Sequence, residues 1–222
     1  MNTPGAQTRG LVVGVVLAVL LAGCSQTSPE GPPSGTVSGA GTVSGSGSAS
    51  SSAPDAGATP GEEAGDELLV ALGVDGLSGR EIVDQLDRVP GPERRSDVMA
   101  SVRPAELVVT DGARELSVPL PADEFYISLA PYVEGTHDCF YHSLTTCQGE
   151  LASVPLDVLI TTTDGEVLLD EQVTTFDNGF AGFWLPRGSA GTIEVRHEGR
   201  SAAYEFTTDD DAPTCVTTVR LA

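Results

Sequence analysis

Lysine is absent from the 222 residues, and eleven Arg face 32 Asp and Glu, which gives a formal net charge of −21. So acidic a chain has no basic patch with which to neutralise phosphates, which argues against nucleic acid and anionic lipid headgroups as partners. Methionine is nearly missing, with two residues, so no Met-rich carrier tract for soft metals exists. Beyond the first two dozen residues no apolar run is long enough to cross a bilayer. No GxSxG, HExxH, P-loop or dinucleotide fingerprint occurs, which removes the commonest enzyme constellations. Asp209-Asp210-Asp211 lacks the Gly and Glu spacing of an EF-hand loop and reads as a solvated turn.

Histidine and cysteine are also scarce, three and four in number, yet two of each fall within His137–Cys147. Of the others, His197 stands beside a turn and reads as exposed, and Cys215 lies close to the C-terminus. Thiolate and imidazole together suit Cu(I) in low coordination, or Zn(II) as a tetrahedral Cys3His site. The candidate ligands are Cys139, Cys147, Cys215, His142 and His137. On an extended segment His137 and Cys139 point to one face, whereas Cys139 and His142 share an ion only if the chain turns between them. Asp138 and Tyr141 read as orienting or surface residues. Spacing alone leaves two alternatives open. A Cys139–Cys147 disulfide would pin the loop and leave Cys215 as an odd thiol. A thiol pair would also serve redox chemistry, reducing Cu(II) or exchanging disulfides. The odd count of three thiols outside Cys24 favours a metal.

The N-terminus supplies the compartment. Arg9 precedes an apolar stretch, Leu11 to Leu21, that ends in Leu21-Ala22-Gly23-Cys24. This has the form of a signal peptide with the lipobox of bacterial lipoproteins, in which the Cys is acylated and opens the mature chain. Residues 1–23 are therefore expected to be removed. Cys24 is expected to be lipidated, anchoring the protein to the outer face of the cell membrane. Residues 24–65 form a tether of Ser, Gly, Ala, Pro and Thr, in which Gly-Thr-Val-Ser-Gly occurs at 35–39 and again at 41–45. Such a segment cannot bury enough apolar surface to order itself, and its root-mean-square reach is roughly 35 Å.

The rest is expected to fold as α+β, with a small helical part over 66–105 and a β-rich metal-binding domain over 106–222. Asp66 to Leu72 should form a helical turn ended by Gly73. Ser78 and Glu81 form a capping box for an amphipathic helix with Ile82, Val83 and Leu86 on one face. Pro90-Gly91-Pro92 should stop that helix, with one more turn over Glu93 to Met99. Asp111-Gly112, Asp164-Gly165 and Glu198-Gly199 mark hairpins. Further strands are expected at Glu124–Ala130, at Phe180–Leu185 with the single Trp184, and at Thr214–Leu221. Many short strands with regular turns argue for an antiparallel, sandwich-like domain.

The run Thr136-His137-Asp138-Cys139-Phe140-Tyr141-His142-Ser143-Leu144-Thr145-Thr146-Cys147-Gln148-Gly149-Glu150-Leu151 resembles the signature of the CueP family, periplasmic copper-binding proteins of bacteria. Thr214-Cys215-Val216-Thr217-Thr218 resembles that family's C-terminal Cys motif, and Gly76-Leu77-Ser78 with its helix is similar too. The resemblance covers the folded part and not the lipobox or tether. It implies a non-enzymatic protein that binds copper for copper resistance and passes it to a client such as a Cu,Zn superoxide dismutase. It places the family cysteines at Cys139, Cys147 and Cys215 and the motif histidines at His137 and His142. It also implies a homodimer, on which the sequence itself is silent. Zinc remains the alternative metal, and a zinc- or disulfide-stabilised protein-interaction domain the alternative role.

Overall fold

The computed structural model describes residues 67–222. The signal peptide, Cys24 and the tether lie outside the described residues. Residues 67–72 form a helical turn (α1), and Gly73 follows with φ +70°, a conformation glycine adopts without strain. Helix α2 spans Gly79–Leu86. Its capping box forms as expected: the Ser78 hydroxyl accepts from the Glu81 amide, and the Ser78 amide donates to the Glu81 carboxylate at 2.8 Å. Ile82, Val83 and Leu86 are buried, as the apolar spacing requires. Pro90-Gly91-Pro92 does end the helical path, and Gly91–Glu93 makes one 3-10 turn.

Eleven strands follow: β1 Met99–Val102, β2 Glu106–Thr110, β3 Glu115–Pro119, β4 Glu124–Leu129, β5 His142–Ser143, β6 Pro155–Thr162, β7 Val167–Thr174, β8 Ala181–Pro186, β9 Ala190–His197, β10 Arg200–Thr207 and β11 Cys215–Val216. Among the described residues they form three sheets, ordered β3-β2-β1-β5, β10-β9-β6-β7 and β11-β4-β8. Three expectations need correction. The stretch from Glu93 to Met99 is not a further helical turn. Val98, Ala100 and Val102 are buried at every second position, the period of a strand, and β1 pairs with β2 inside the part expected to be helical. The final strand is only Cys215–Val216, and it runs parallel to β4, so the sheets are not wholly antiparallel. The strands make three sheets where a sandwich has two.

β4 explains the arrangement, because both of its faces are used. Phe125, Ile127 and Leu129 point into a core with Leu156, Val158 and Ile160 of β6 and Ile193 and Val195 of β9. Tyr126 points the other way, into a second core with Ile82, Val83 and Leu86 of α2 and Val102, Leu107 and Val109 of the first sheet. Each of these side chains contributes about 1.5–3 kcal/mol by leaving water. The hairpin turns fall where the sequence places them. Glu198 and Gly199 both have positive φ, +49° and +79°, as the tight β9–β10 turn demands.

Candidate metal centre

A third, smaller core consists of Ala130, Cys147, Phe180 and Cys215, with Cys139 packed on it. The chain between β4 and β5 carries His137 and Cys139, β5 opens with His142, and Cys147 sits in the turn that follows. The Cys147 amide donates to the Ser143 carbonyl at 3.1 Å, closing that turn. The distant Cys215 is brought in by a backbone clamp. The amides of Thr214 and Cys215 both donate to the Phe140 carbonyl at 3.0 Å. The Thr214 hydroxyl accepts from the His142 amide at 3.0 Å and donates to the Val102 carbonyl at 2.6 Å.

The five expected donors fall into two overlapping groups. Ligand atoms of His137, Cys139 and Cys147 lie within 4.8 Å of one another, as do those of His142, Cys147 and Cys215, so Cys147 belongs to both groups. All three thiols are free, with Cys139 and Cys147 sulfurs 3.4 Å apart. Forming a disulfide between them would close that gap by about 1.4 Å. Two imidazole nitrogens at the site, His137 Nε2 and His142 Nδ1, are buried without a hydrogen-bond partner. A buried polar atom left unpaired is costly, and a soft cation would satisfy both. The Phe180 ring lies against both imidazoles, at centroid distances of 4.5 Å from His142 and 6.2 Å from His137. Asp138 is exposed, as are Phe140 and Tyr141. His197 is not the exposed residue expected: its side chain is 12% accessible, and Nδ1 bonds the Pro155 carbonyl at 2.8 Å, tying β9 to the start of β6.

Sequence reasoning missed the polar network behind the site. Asp87 caps the C-terminus of α2 and is fully buried. Its carboxylate accepts from His142 Nε2 at 2.8 Å, Asn178 Nδ2 at 2.8 Å, Tyr126 Oη at 2.6 Å and Ser128 Oγ at 3.3 Å. Arg94 donates to the Cys147 carbonyl at 2.7 Å and to the Val89 carbonyl at 2.9 Å, and its guanidinium stands 4.0 Å from Asp87. One signal was present in the sequence: an acid at a helix C-terminus opposes the macrodipole and calls for a compensating partner.

Gly182, opposite Ser128 in the β4–β8 pair, leaves room for this network. A Cβ at that position would fall on the Tyr126 hydroxyl. Gly182→Ala is therefore expected to displace the phenol from Asp87 and to destabilise the fold by about 1–3 kcal/mol. Chemical denaturation of the apoprotein measures this, and an unchanged midpoint would show that the ring can move aside freely.

The charges are strongly coupled. Burial pulls the His142 pKa down, but the Asp87 carboxylate and its hydrogen bond outweigh burial and raise it to about 9. The Cys147 thiol is held far below the ordinary range by hydrogen bonds from Cys139 and Cys215, against burial and with help from His142. Cys139 is pushed up to about 11, first by its bond to the Cys147 thiolate. Cys215 is pushed up as well, by Cys139 and Cys147. Of the three thiols, Cys147 is thus the one that gives up its proton most readily, and its two neighbours hold theirs more tightly.

A pH dependence follows. A raised folded pKa stabilises fully below the unfolded value and loses that stability as pH rises through the folded one. For His142 the loss runs from about 6.5 to 9. It is opposed by Cys147, whose lowered pKa makes its contribution grow until unfolded thiols ionise near 8.5. Above that, Cys139 and Cys215 still hold protons that the unfolded chain has lost. Anaerobic thermal unfolding of the apoprotein should show a midpoint nearly level from pH 7 to 8.5 that falls toward pH 11. Cys139 accounts for about 1–2 kcal/mol of that fall after allowance for its solvent screening. A midpoint level up to pH 11 would contradict this charge assignment.

Three thiols and two imidazoles, each with one unpartnered buried nitrogen, make up the donor set of a soft-metal-binding protein. The family model described as periplasmic copper-binding protein CueP matches residues 81–220, and the chain belongs to the CueP family. A solved structure with the description "Crystal Structure of S.CueP" is similar to this chain at 38% identity and a TM-score of 0.68, covering 74% of this chain and 100% of that one. No curated protein matches the chain. The fold, the copper-binding class and an extracytoplasmic setting are thereby those of the family.

Proposed function

We propose that this protein is a lipid-anchored copper sink of the cell envelope, which sequesters Cu(I) through the thiolates of Cys139, Cys147 and Cys215 with His142 and His137 as imidazole donors. The observation that carries this reading is the grouping of those five side chains in two overlapping sets, with two imidazole nitrogens buried and unpaired beside three free thiols. Cu(I) is soft and accepts two or three sulfur or nitrogen ligands, which fits the set better than the harder geometric demand of Zn(II). Removing copper from solution limits thiol damage and Fenton chemistry, which is how such a protein confers copper resistance. Cys24 acylation and the tether hold the site off the outer face of the membrane. From there copper passes to an extracytoplasmic client such as a Cu,Zn superoxide dismutase.

The 3.4 Å separation of Cys139 and Cys147 supports a second reading, in which the pair reduces the incoming metal. Two Cu(II) would take one electron each as the Cys147 thiolate and the Cys139 thiol, which releases its one proton, close a disulfide.

The deciding experiment loads the reduced protein from Ser25 onward with Cu(I) or Zn(II), anaerobically and against a competing chelator, and counts thiols open to alkylation. Tight Cu(I) binding with all three thiols protected supports sequestration. Release of copper to the chelator with all three thiols alkylated would overturn it. Loss of two thiols on addition of Cu(II), with Cu(I) appearing, supports the second reading.

A further inference from the structure

The donors around Asp87 fix which nitrogen of His142 faces the carboxylate and which is left to meet a metal. The Phe180 amide can only donate, and it donates to Asn178 Oδ1 at 2.8 Å. The Asn178 amide is thus oriented, and its Nδ2 donates to Asp87 Oδ1 at 2.8 Å and to the Asp87 carbonyl at 3.0 Å. Tyr126 and Ser128 hydroxyls take Oδ2. An ionised carboxylate only accepts, so His142 Nε2, 2.8 Å from Oδ1, carries a hydrogen. The other ring nitrogen, Nδ1, is the buried atom with no partner, and His142 has a ligand atom within 4.8 Å of Cys147 and Cys215 sulfurs. Four donors on the carboxylate prevent Asp87 from turning away, and the ring of Phe180 limits rotation of the imidazole.

We propose that Asp87 is a positioning residue for copper: in the metal-bound site it keeps the hydrogen of His142 on Nε2 and turns Nδ1, its own hydrogen displaced by the metal, toward the ion bound by Cys147 and Cys215. This rests on the copper-binding reading above and adds to it a residue that lies outside the signature motif, at the end of helix α2. A carboxylate behind a metal-bound imidazole also makes it a better donor, and loss of such a partner costs about 10–100-fold in affinity. An asparagine at position 87 keeps the shape, but its amide group can donate to Nε2 and so favours the tautomer with hydrogen on Nδ1, where the metal must bind.

The test uses the full-length protein in detergent, loaded with Cu(I). Wild type, Asp87→Asn, His142→Ala and the double variant are compared by chelator competition and by X-ray absorption at the copper edge. Asp87→Asn is expected to weaken Cu(I) binding about 10–100-fold and to lower imidazole scattering to the level of His142→Ala, where His137 is the one imidazole left, while sulfur scattering persists. The double variant should be no weaker than His142→Ala alone, because Asp87 acts only through that ring. Additive losses, or an Asp87→Asn protein with wild-type affinity and imidazole scattering at the full wild-type level, would overturn the proposal. Nitrogen-15 NMR of the Cu(I)-loaded wild type gives a reading that needs no variant. A hydrogen on Nε2 is the expected result, and a hydrogen on Nδ1 overturns the assignment. Should the wild type not bind Cu(I) at all, the copper reading itself falls, which is a different outcome from tight binding without His142.

Discussion

Asp87→Ala is expected to lower the unfolding free energy of the apoprotein by about 3–5 kcal/mol, the cost of removing one partner from a buried charged pair. The residue is fully buried, and so is His142 opposite it. Truncation would leave His142 Nε2, Tyr126 Oη and an Asn178 amide hydrogen without an acceptor, and would remove the nearest negative charge from Arg94. Each of those groups lies where water does not easily follow, and an unsatisfied buried donor costs about 1–3 kcal/mol. The loss should be largest near pH 6.5 and shrink as pH rises toward 9, where His142 gives up its charge in the folded apoprotein. Urea denaturation at pH 7 measures it. A loss below about 1 kcal/mol would mean that water enters and takes over the carboxylate's bonds. Asp87→Asn should be much milder, since it keeps one oxygen acceptor for the tyrosine.

The local features of this fold were largely legible in the sequence, and the assembly of the site was not. Ser78 and Glu81 announce the capping box, and Asp111-Gly112, Asp164-Gly165 and Glu198-Gly199 announce hairpins, because caps and turns depend on residues a few positions apart. The cluster from His137 to Cys147 declared itself by the scarcity of its residue types elsewhere. β1 was hidden because Val98, Ala100 and Val102 sit among Arg, Ser and Asp in a stretch too short for its period to stand out. Asp87 was hidden for a different reason. It reads as the polar end of an amphipathic helix, and only tertiary packing brings Tyr126, His142 and Asn178 to it from remote segments. The parallel pairing of β11 with β4 was equally illegible, because strand direction follows from the path of the chain and leaves no mark on a two-residue strand.

Among the three thiols, Cys147 should matter most for copper. It is the one residue shared by both donor groups, His137–Cys139–Cys147 and His142–Cys147–Cys215. It is also the thiol that gives up its proton first, since its neighbours lend it hydrogen bonds at the expense of their own acidity. A serine hydroxyl is a hard, protonated donor and cannot replace it toward Cu(I). Cys147→Ser is therefore expected to weaken Cu(I) binding a thousandfold or more, about 4 kcal/mol. Cys139→Ser and Cys215→Ser each leave one donor group whole and should cost about 10–100-fold. The fold should survive the Cys147 change, because its backbone is held independently of the sulfur: Arg94 grips its carbonyl, and its amide bonds the Ser143 carbonyl. Chelator competition on the reduced single variants, with circular dichroism as the folding control, gives the order. Equal losses in all three would mean one ion bound by three equivalent thiolates, with no privileged sulfur. A Cys147 variant that keeps wild-type affinity would remove this cluster as the copper site.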